Sequence, residues 1–149
     1  MHLFIRYIIA LTISIILSLI GLKSDITAVQ SVFTVLGIMF SVLMSLIISF
    51  NLSQVVNLDV RKTIVGHITY RRNAIIYDFV CSTITLLLSS LRVVADFTIS
   101  ICNHIIFTFP TFAICVLIMS IIYEVRSFMQ VHNLQNEIAD AIIKEKEGK

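Results

Sequence analysis

The chain has 149 residues, of which 58% are hydrophobic and only 13% are charged, and its mean hydropathy is +0.98. A soluble globular domain carries roughly 25% charged residues, so this composition excludes that class and indicates an integral membrane protein. The net charge of +2 is too small to indicate nucleic-acid binding. We therefore expect an all-α fold made of transmembrane helices that contacts the lipid bilayer.

The first predicted span covers residues 7–22, preceded by Arg6. Its apolar run is about 16 residues, short for a span but adequate if the arginine side chain reaches the membrane interface. A cleavable signal peptide is the alternative interpretation of this segment, with Ala28 before the best cleavage site.

The second predicted span, residues 31–50, carries small residues at strict four-residue intervals. Such a row lets two helices approach closely and lets hydroxyl groups bond across the contact. It predicts helix packing, and a row of hydroxyls lining a wet path is the second interpretation. The row consists of Gly37, Ser41, Ser45 and Ser49.

The segment between the second and third spans, residues 51–73, is basic. Its apolar residues recur at helical spacing, which predicts a helix that lies on the bilayer surface or extends the third span into the cytosol. Its basic residues form a solvated flank or contact anionic lipid or a soluble partner. They are Arg61, Lys62, Arg71 and Arg72.

Polar residues share one face of the third predicted span, residues 74–97. Their spacing of three or four residues averages about 3.6, the helical repeat, which places them on one side of a helix. This polar seam comprises Asp78, Ser82, Thr85, Ser89, Arg92 and Asp96, and the same spacing continues to Ser100 and Asn103. From the first aspartate to the last is about 27 Å of helix, nearly the hydrocarbon thickness.

The seam has a structural and a functional interpretation. In the structural one, its hydroxyls bond to the serines of the second span, Asp78 pairs with Arg71 or Arg72, and Arg92 pairs with Asp96. In the functional one, the seam lines the pore of a homo-oligomer, with Asp78 as an acidic ring near the cytosolic mouth and Arg92 as a basic ring near the outer one. Rings of charges and hydroxyls are how simple pores select ions.

The fourth predicted span covers residues 105–123, where Thr108 and Pro110 fit a helix start. The span has almost no polar content, so we expect it to be the most lipid-exposed helix. Residues 1–127 then form the transmembrane domain. Residues 128–149 form an amphipathic tail that docks on its own bundle or on neighbouring subunits.

The distribution of Lys and Arg sets the orientation. With the N-terminus inside, nine of the 11 basic residues lie on the cytosolic side, as the positive-inside rule requires. We expect four spans in an inner membrane, with both termini cytosolic.

The sequence shows no catalytic motif. Three cysteines and four histidines are scattered over separate segments, which favours neither a disulfide framework nor a metal site. We expect no enzyme activity, no metal and no cofactor.

The second span is rich in small residues, and the basic segment RKTIVGHITYRRN that follows it runs directly into an apolar helix. This layout resembles the small membrane subunits of bacterial anti-phage systems, the RexB-like and Hailong-type channel subunits. The resemblance covers mainly residues 37–80, is one of layout and assigns no site residues. It implies an inner-membrane effector that forms an ion-conducting homo-oligomer and is controlled by a soluble partner or signal molecule. A bacteriocin immunity protein and a non-conducting accessory subunit of a membrane complex are the alternatives.

Overall fold

A computed structural model describes residues 3–21, 24–49, 58–91, 98–102 and 105–147. This part of the chain forms four α-helices and one two-stranded antiparallel sheet. In chain order the elements are α1 (Leu3–Leu19), α2 (Ile26–Ile48), α3 (Leu58–Ser90), β1 (Thr98–Cys102), β2 (Ile105–Thr108) and α4 (Phe109–Glu147).

Three of the helices are long and apolar enough to cross a membrane, and the apolar part of α1, Phe4–Leu19, is shorter. The prediction of a helical membrane protein is therefore confirmed at this level. Large aliphatic side chains such as Ile38, Ile84 and Ile122 are exposed on the outside of the bundle, where a bilayer would cover them.

Local chemistry explains where α2 and α4 begin. Asp25 caps α2, because its carboxylate accepts a hydrogen bond of 2.7 Å from the amide of Ile26, so the helix starts before the predicted residue 31. The predicted helix start around Thr108 and Pro110 is confirmed, with Pro110 in the first turn of α4 where its missing amide donor is tolerated.

The basic segment does not lie apart from the third span. From Leu58 onward it is continuous with the apolar part in one helix of 33 residues, α3, so of the two predicted arrangements the structure has the extended span. Arg61, Lys62 and Arg72 are exposed on it.

The structure ends α3 at Ser90, and the predicted end of the third span at residue 97 lies outside the described residues. Residues 98–102 and 105–108 are strands, paired with Thr98 opposite Thr108 and with a register irregularity between Ser100 and Cys102. These strands depart from the all-α expectation. Isoleucine, threonine and phenylalanine predominate in them, and β-branched and aromatic side chains suit a pleated surface.

The apolar fourth span is the centre of the bundle, since α4 packs against α1, α2 and α3. Ala113 and Leu117 of α4 are fully buried against Val29 and Leu36 of α2. The expectation that this span is the most lipid-exposed is therefore wrong. An apolar run suits the interior of a membrane bundle as well as it suits lipid, so low polarity alone cannot separate the two.

The tail continues α4 without a break to Glu147. Val131, beyond the predicted span, is buried with Leu43 and Ile47 of α2 and Ile75 of α3. The first part of the amphipathic tail thus docks on its own bundle.

Candidate functional site

Three ionisable side chains from three different helices are buried near one end of the bundle. Arg6 of α1 is 6% exposed, Asp78 of α3 is 2% exposed and Glu124 of α4 is 0% exposed. Arg6 donates a hydrogen bond from Nη2 to Oδ1 of Asp78 and forms a buried ion pair with it. The guanidinium carbon of Arg6 also lies 4.3 Å from the centre of the Tyr123 ring, a cation–π contact. We call Arg6, Asp78 and Glu124 the charged cluster.

Several polar atoms of the charged cluster have no hydrogen-bond partner among the described residues. They are Nε and Nη1 of Arg6, Oδ2 of Asp78 and both carboxyl oxygens of Glu124. Each buried polar group without a partner costs about 1–3 kcal/mol, and charged groups cost more. Glu124 also lies within electrostatic range of the Asp78 carboxyl. Burying the charged cluster therefore costs free energy, and several of its polar atoms lack a hydrogen-bond partner among the described residues.

The partner of Asp78 differs from the predicted one. The structural interpretation paired Asp78 with Arg71 or Arg72 of the same helix, and that pairing is wrong. Arg71 is seven residues away, about 10 Å along a helix, whereas Arg6 approaches from the neighbouring helix and reaches Asp78 directly.

The seam hydroxyls continue from the charged cluster into the bundle, and Ser82, Thr85 and Ser89 are all buried. The hydroxyl of Ser82 donates to Oγ of Ser120 on α4 at 3.1 Å. Thr85 donates to the carbonyl of Cys81 at 2.9 Å and is hydrogen-bonded to the Tyr7 hydroxyl of α1 at 3.4 Å. The predicted bonds from the seam to the serines of α2 are therefore wrong for Ser82 and Thr85, whose partners lie on α1, α3 and α4.

The described part of the seam runs from Asp78 to Ser89 and rises about 16 Å along α3, which ends at Ser90. At the other end, Arg71 lies on the same face of α3 and lines a cavity together with Arg6. Counted from Arg71, the polar face covers about 27 Å of helix, close to the hydrocarbon thickness. Arg92 and Asp96, the predicted outer part of the seam, lie outside the described residues.

The small-residue row of α2 lies on the side of the helix opposite its buried face. Ser41, Ser45 and Ser49 are exposed, and a Cβ added to Gly37 would meet nothing within 4 Å. The Ser41 hydroxyl donates to the Gly37 carbonyl of its own helix at 2.9 Å. Within the chain the row therefore packs against no described helix.

Two members of the charged cluster were not predicted as site residues. Arg6 was interpreted as a flank of the first span, and Glu124 directly follows the fourth predicted span, residues 105–123. A signal was available on α4, because Ser120, Glu124 and Ser127 recur at four and three residues and all are buried.

The described residues contain no group of three or more His, Cys, Asp or Glu side chains that could hold a metal ion. In comparisons with known proteins, no family model matches the chain, and no curated protein and no solved structure matches it either. A function for this chain must therefore be argued from the charged cluster and the polar seam themselves.

Proposed function

We propose that the chain is an ion-conducting membrane effector whose path follows the polar seam between α1, α3 and α4. The charged cluster is the observation that carries this proposal. Ionisable groups inside a membrane bundle are costly, and they commonly mark ion pathways or proton relays. A bundle that needed only to pack could fill the same volume with apolar side chains at no loss of stability.

The Arg6–Asp78 ion pair is the proposed gate. In this arrangement the guanidinium occupies the interior just where the seam begins, so its positive charge blocks a cation from approaching Asp78. Glu124 supplies a second carboxyl within range of the first. A shift of Arg6 away from Asp78 would free a pair of acidic groups facing the hydroxyls of Ser82 and Ser120, the kind of polar lining that replaces water around a passing ion.

The proposed setting follows the layout resemblance and the charge distribution. The N-terminus lies in the cytosol, four segments span an inner membrane, and a soluble partner or signal molecule releases the gate so that the membrane depolarises during antiviral defence. The exposed row of Gly37, Ser41, Ser45 and Ser49 supports self-association, because two small-residue faces of separate copies can approach closely.

A non-conducting interaction protein is the second candidate, as an immunity protein or an accessory subunit. One observation favours it: the seam hydroxyls already bond within the bundle, from Ser82 to Ser120 and from Ser89 to the Leu86 carbonyl. A protein of this kind would act through its exposed helix faces alone.

Membrane potential in cells that overproduce the chain separates the two candidates. We expect overproduction of the native chain to depolarise the cells without the partner, because a small open fraction of many copies is enough to carry ions. The double variant Arg6→Met with Asp78→Leu replaces the ion pair by apolar side chains and should accumulate to a similar level without depolarising. The matched control is Arg72→Met, which removes an exposed arginine and should leave the depolarisation intact. A native chain that is harmless, or a double variant as active as the native chain, would contradict conduction through the charged cluster.

A further inference from the structure

A cavity of about 240 Å³ lies between α1, α3 and α4, next to the charged cluster. Each of the three helices contributes one arginine to its lining: Arg6, Arg71 and Arg126. Ser127 and Gln130 add neutral polar groups. We call this space the arginine cavity.

The charge of the arginine cavity is not cancelled by its surroundings. The Nε and Nη1 atoms of Arg6 have no hydrogen-bond partner among the described residues, and only 6% of the residue is exposed. Arg71 and Arg126 form no ion pair with any described residue. The lining itself holds three guanidinium groups and no carboxyl, and the charged cluster adds the two carboxyls of Asp78 and Glu124, so these five groups together carry an excess of positive charge.

We infer that the arginine cavity binds a phosphate group, carried by an anionic lipid headgroup or free in solution. Guanidinium groups present planar pairs of donors that match phosphate oxygens, and such charge-assisted bonds are about twice as strong as neutral ones. The Nε and Nη1 donors of Arg6 are unpartnered and buried at this site. Basic pockets between membrane helices are a known form of lipid headgroup site.

The apolar part of the cavity lining favours a lipid headgroup as the source of the phosphate. Met119 and Ile122 line the cavity, and Ile122 is 49% exposed on the outside of α4. Val125 and Met129 continue this exposed apolar surface along the same helix. Acyl chains could therefore lie against α4 while the phosphate enters between the arginines.

One consequence rests on the proposed function. A phosphate bound to Arg6 competes with Asp78 for the guanidinium, so its binding would favour the open gate. The binding site itself does not depend on conduction, and the test below measures binding directly.

The experiment compares phosphate binding by the purified full-length chain in neutral detergent. Phosphatidylglycerol and phosphatidylcholine are added in equal amounts, and native mass spectrometry compares how many molecules of each the chain retains. Calorimetry at constant ionic strength measures the binding of inorganic phosphate. The test variant is Arg71→Gln with Arg126→Gln. The matched control is Arg61→Gln with Arg72→Gln, which removes two exposed arginines of α3 that do not line the cavity.

We expect the test variant to bind at least about tenfold more weakly, because charge-assisted bonds are lost. We expect the control to stay within about twofold, because neither of its arginines lines the cavity. Arg126→Gln alone, at an exposed position, gives an intermediate loss and covers the case in which the double variant fails to fold.

Preferential retention of phosphatidylglycerol assigns the site to lipid, and saturable binding of inorganic phosphate assigns it to the free anion. The proposal is overturned if the native chain binds neither ligand, or if the control loses binding as much as the test variant. Binding without any depolarisation by the native chain would refute the proposed function and leave the phosphate site standing.

Discussion

Asp78→Asn is expected to be the most informative single substitution for stability. Only 7% of the Arg6 side chain and 3% of the Asp78 side chain are exposed, so water cannot replace the lost carboxylate. Breaking a buried ion pair by removing one partner costs about 3–5 kcal/mol. That loss lowers the folding equilibrium constant by roughly two to four orders of magnitude.

Denaturant titration of the purified chain in mixed micelles measures this cost. The control is Glu137→Gln, an exposed carboxyl on α4, for which we expect a change within about 0.5 kcal/mol. The double variant Arg6→Met with Asp78→Leu should return to within about 1–2 kcal/mol of the native chain, since apolar side chains can replace a buried pair without loss. If Asp78→Asn unfolds within about 1 kcal/mol of the native chain, which is the size of a surface ion pair, the reasoning on burial is refuted.

Glu124 gives the same argument a second test. It is the other buried carboxyl of the charged cluster and lies within electrostatic range of Asp78, so we expect it to accept part of the guanidinium's charge when Asp78 is replaced. Adding Glu124→Gln to Asp78→Asn removes that alternative. We therefore expect the combined cost to exceed the sum of the single costs, because neighbouring sites couple. Simple additivity in the same titration would show that Glu124 and Arg6 do not interact.

Three further predictions concern packing and assembly. Ser120→Ala should cost about 1–3 kcal/mol by leaving the buried Ser82 hydroxyl with no partner on α4, and adding Ser82→Ala should recover most of it in the same denaturant titration. Leu117→Ala should lower the free energy of unfolding by about 2–5 kcal/mol, because the side chain is fully buried. Ile118→Ala, on the exposed side of α4, should lower it far less, and equal losses would contradict the central position of α4. Gly37→Leu should weaken self-association, because the larger side chain separates the backbones of two copies. Chemical crosslinking in membranes measures this, and unchanged crosslinking would argue against the small-residue row as the contact.

The sequence allowed the membrane class, the start of α4 and the common face of the seam to be predicted. Each of these depends on local information: apolar length, Pro110 at a helix start, and the helical spacing of Asp78, Ser82, Thr85 and Ser89. In the structure these four residues are all buried, as a shared polar face in an apolar helix requires.

The charged cluster could not be predicted in the same way. Arg6 and Asp78 are 72 residues apart in the chain, and spacing along one helix carries no information about which other helix lies opposite. The continuation of the helical spacing to Ser100 failed for a different reason, because Ser100 lies in a strand that pairs with Ile105–Thr108, whereas Arg92 and Asp96 lie outside the described residues. The central position of α4 was missed since its apolar side chains suit lipid and protein interior alike.

Thiol accessibility along α3 tests most directly the claim that a path for ions follows the polar seam. Single cysteines replace Ser82 and Ser89 on the buried face, or Ile84 and Leu87 on the exposed face, in a chain without its three native cysteines. They are treated with a water-soluble thiol reagent in cells that the chain depolarises. The account predicts that the cysteines at 82 and 89 react while those at 84 and 87, facing lipid, do not. Unreactive cysteines at 82 and 89 in depolarised cells would contradict it and place the conducting path outside the bundle interior.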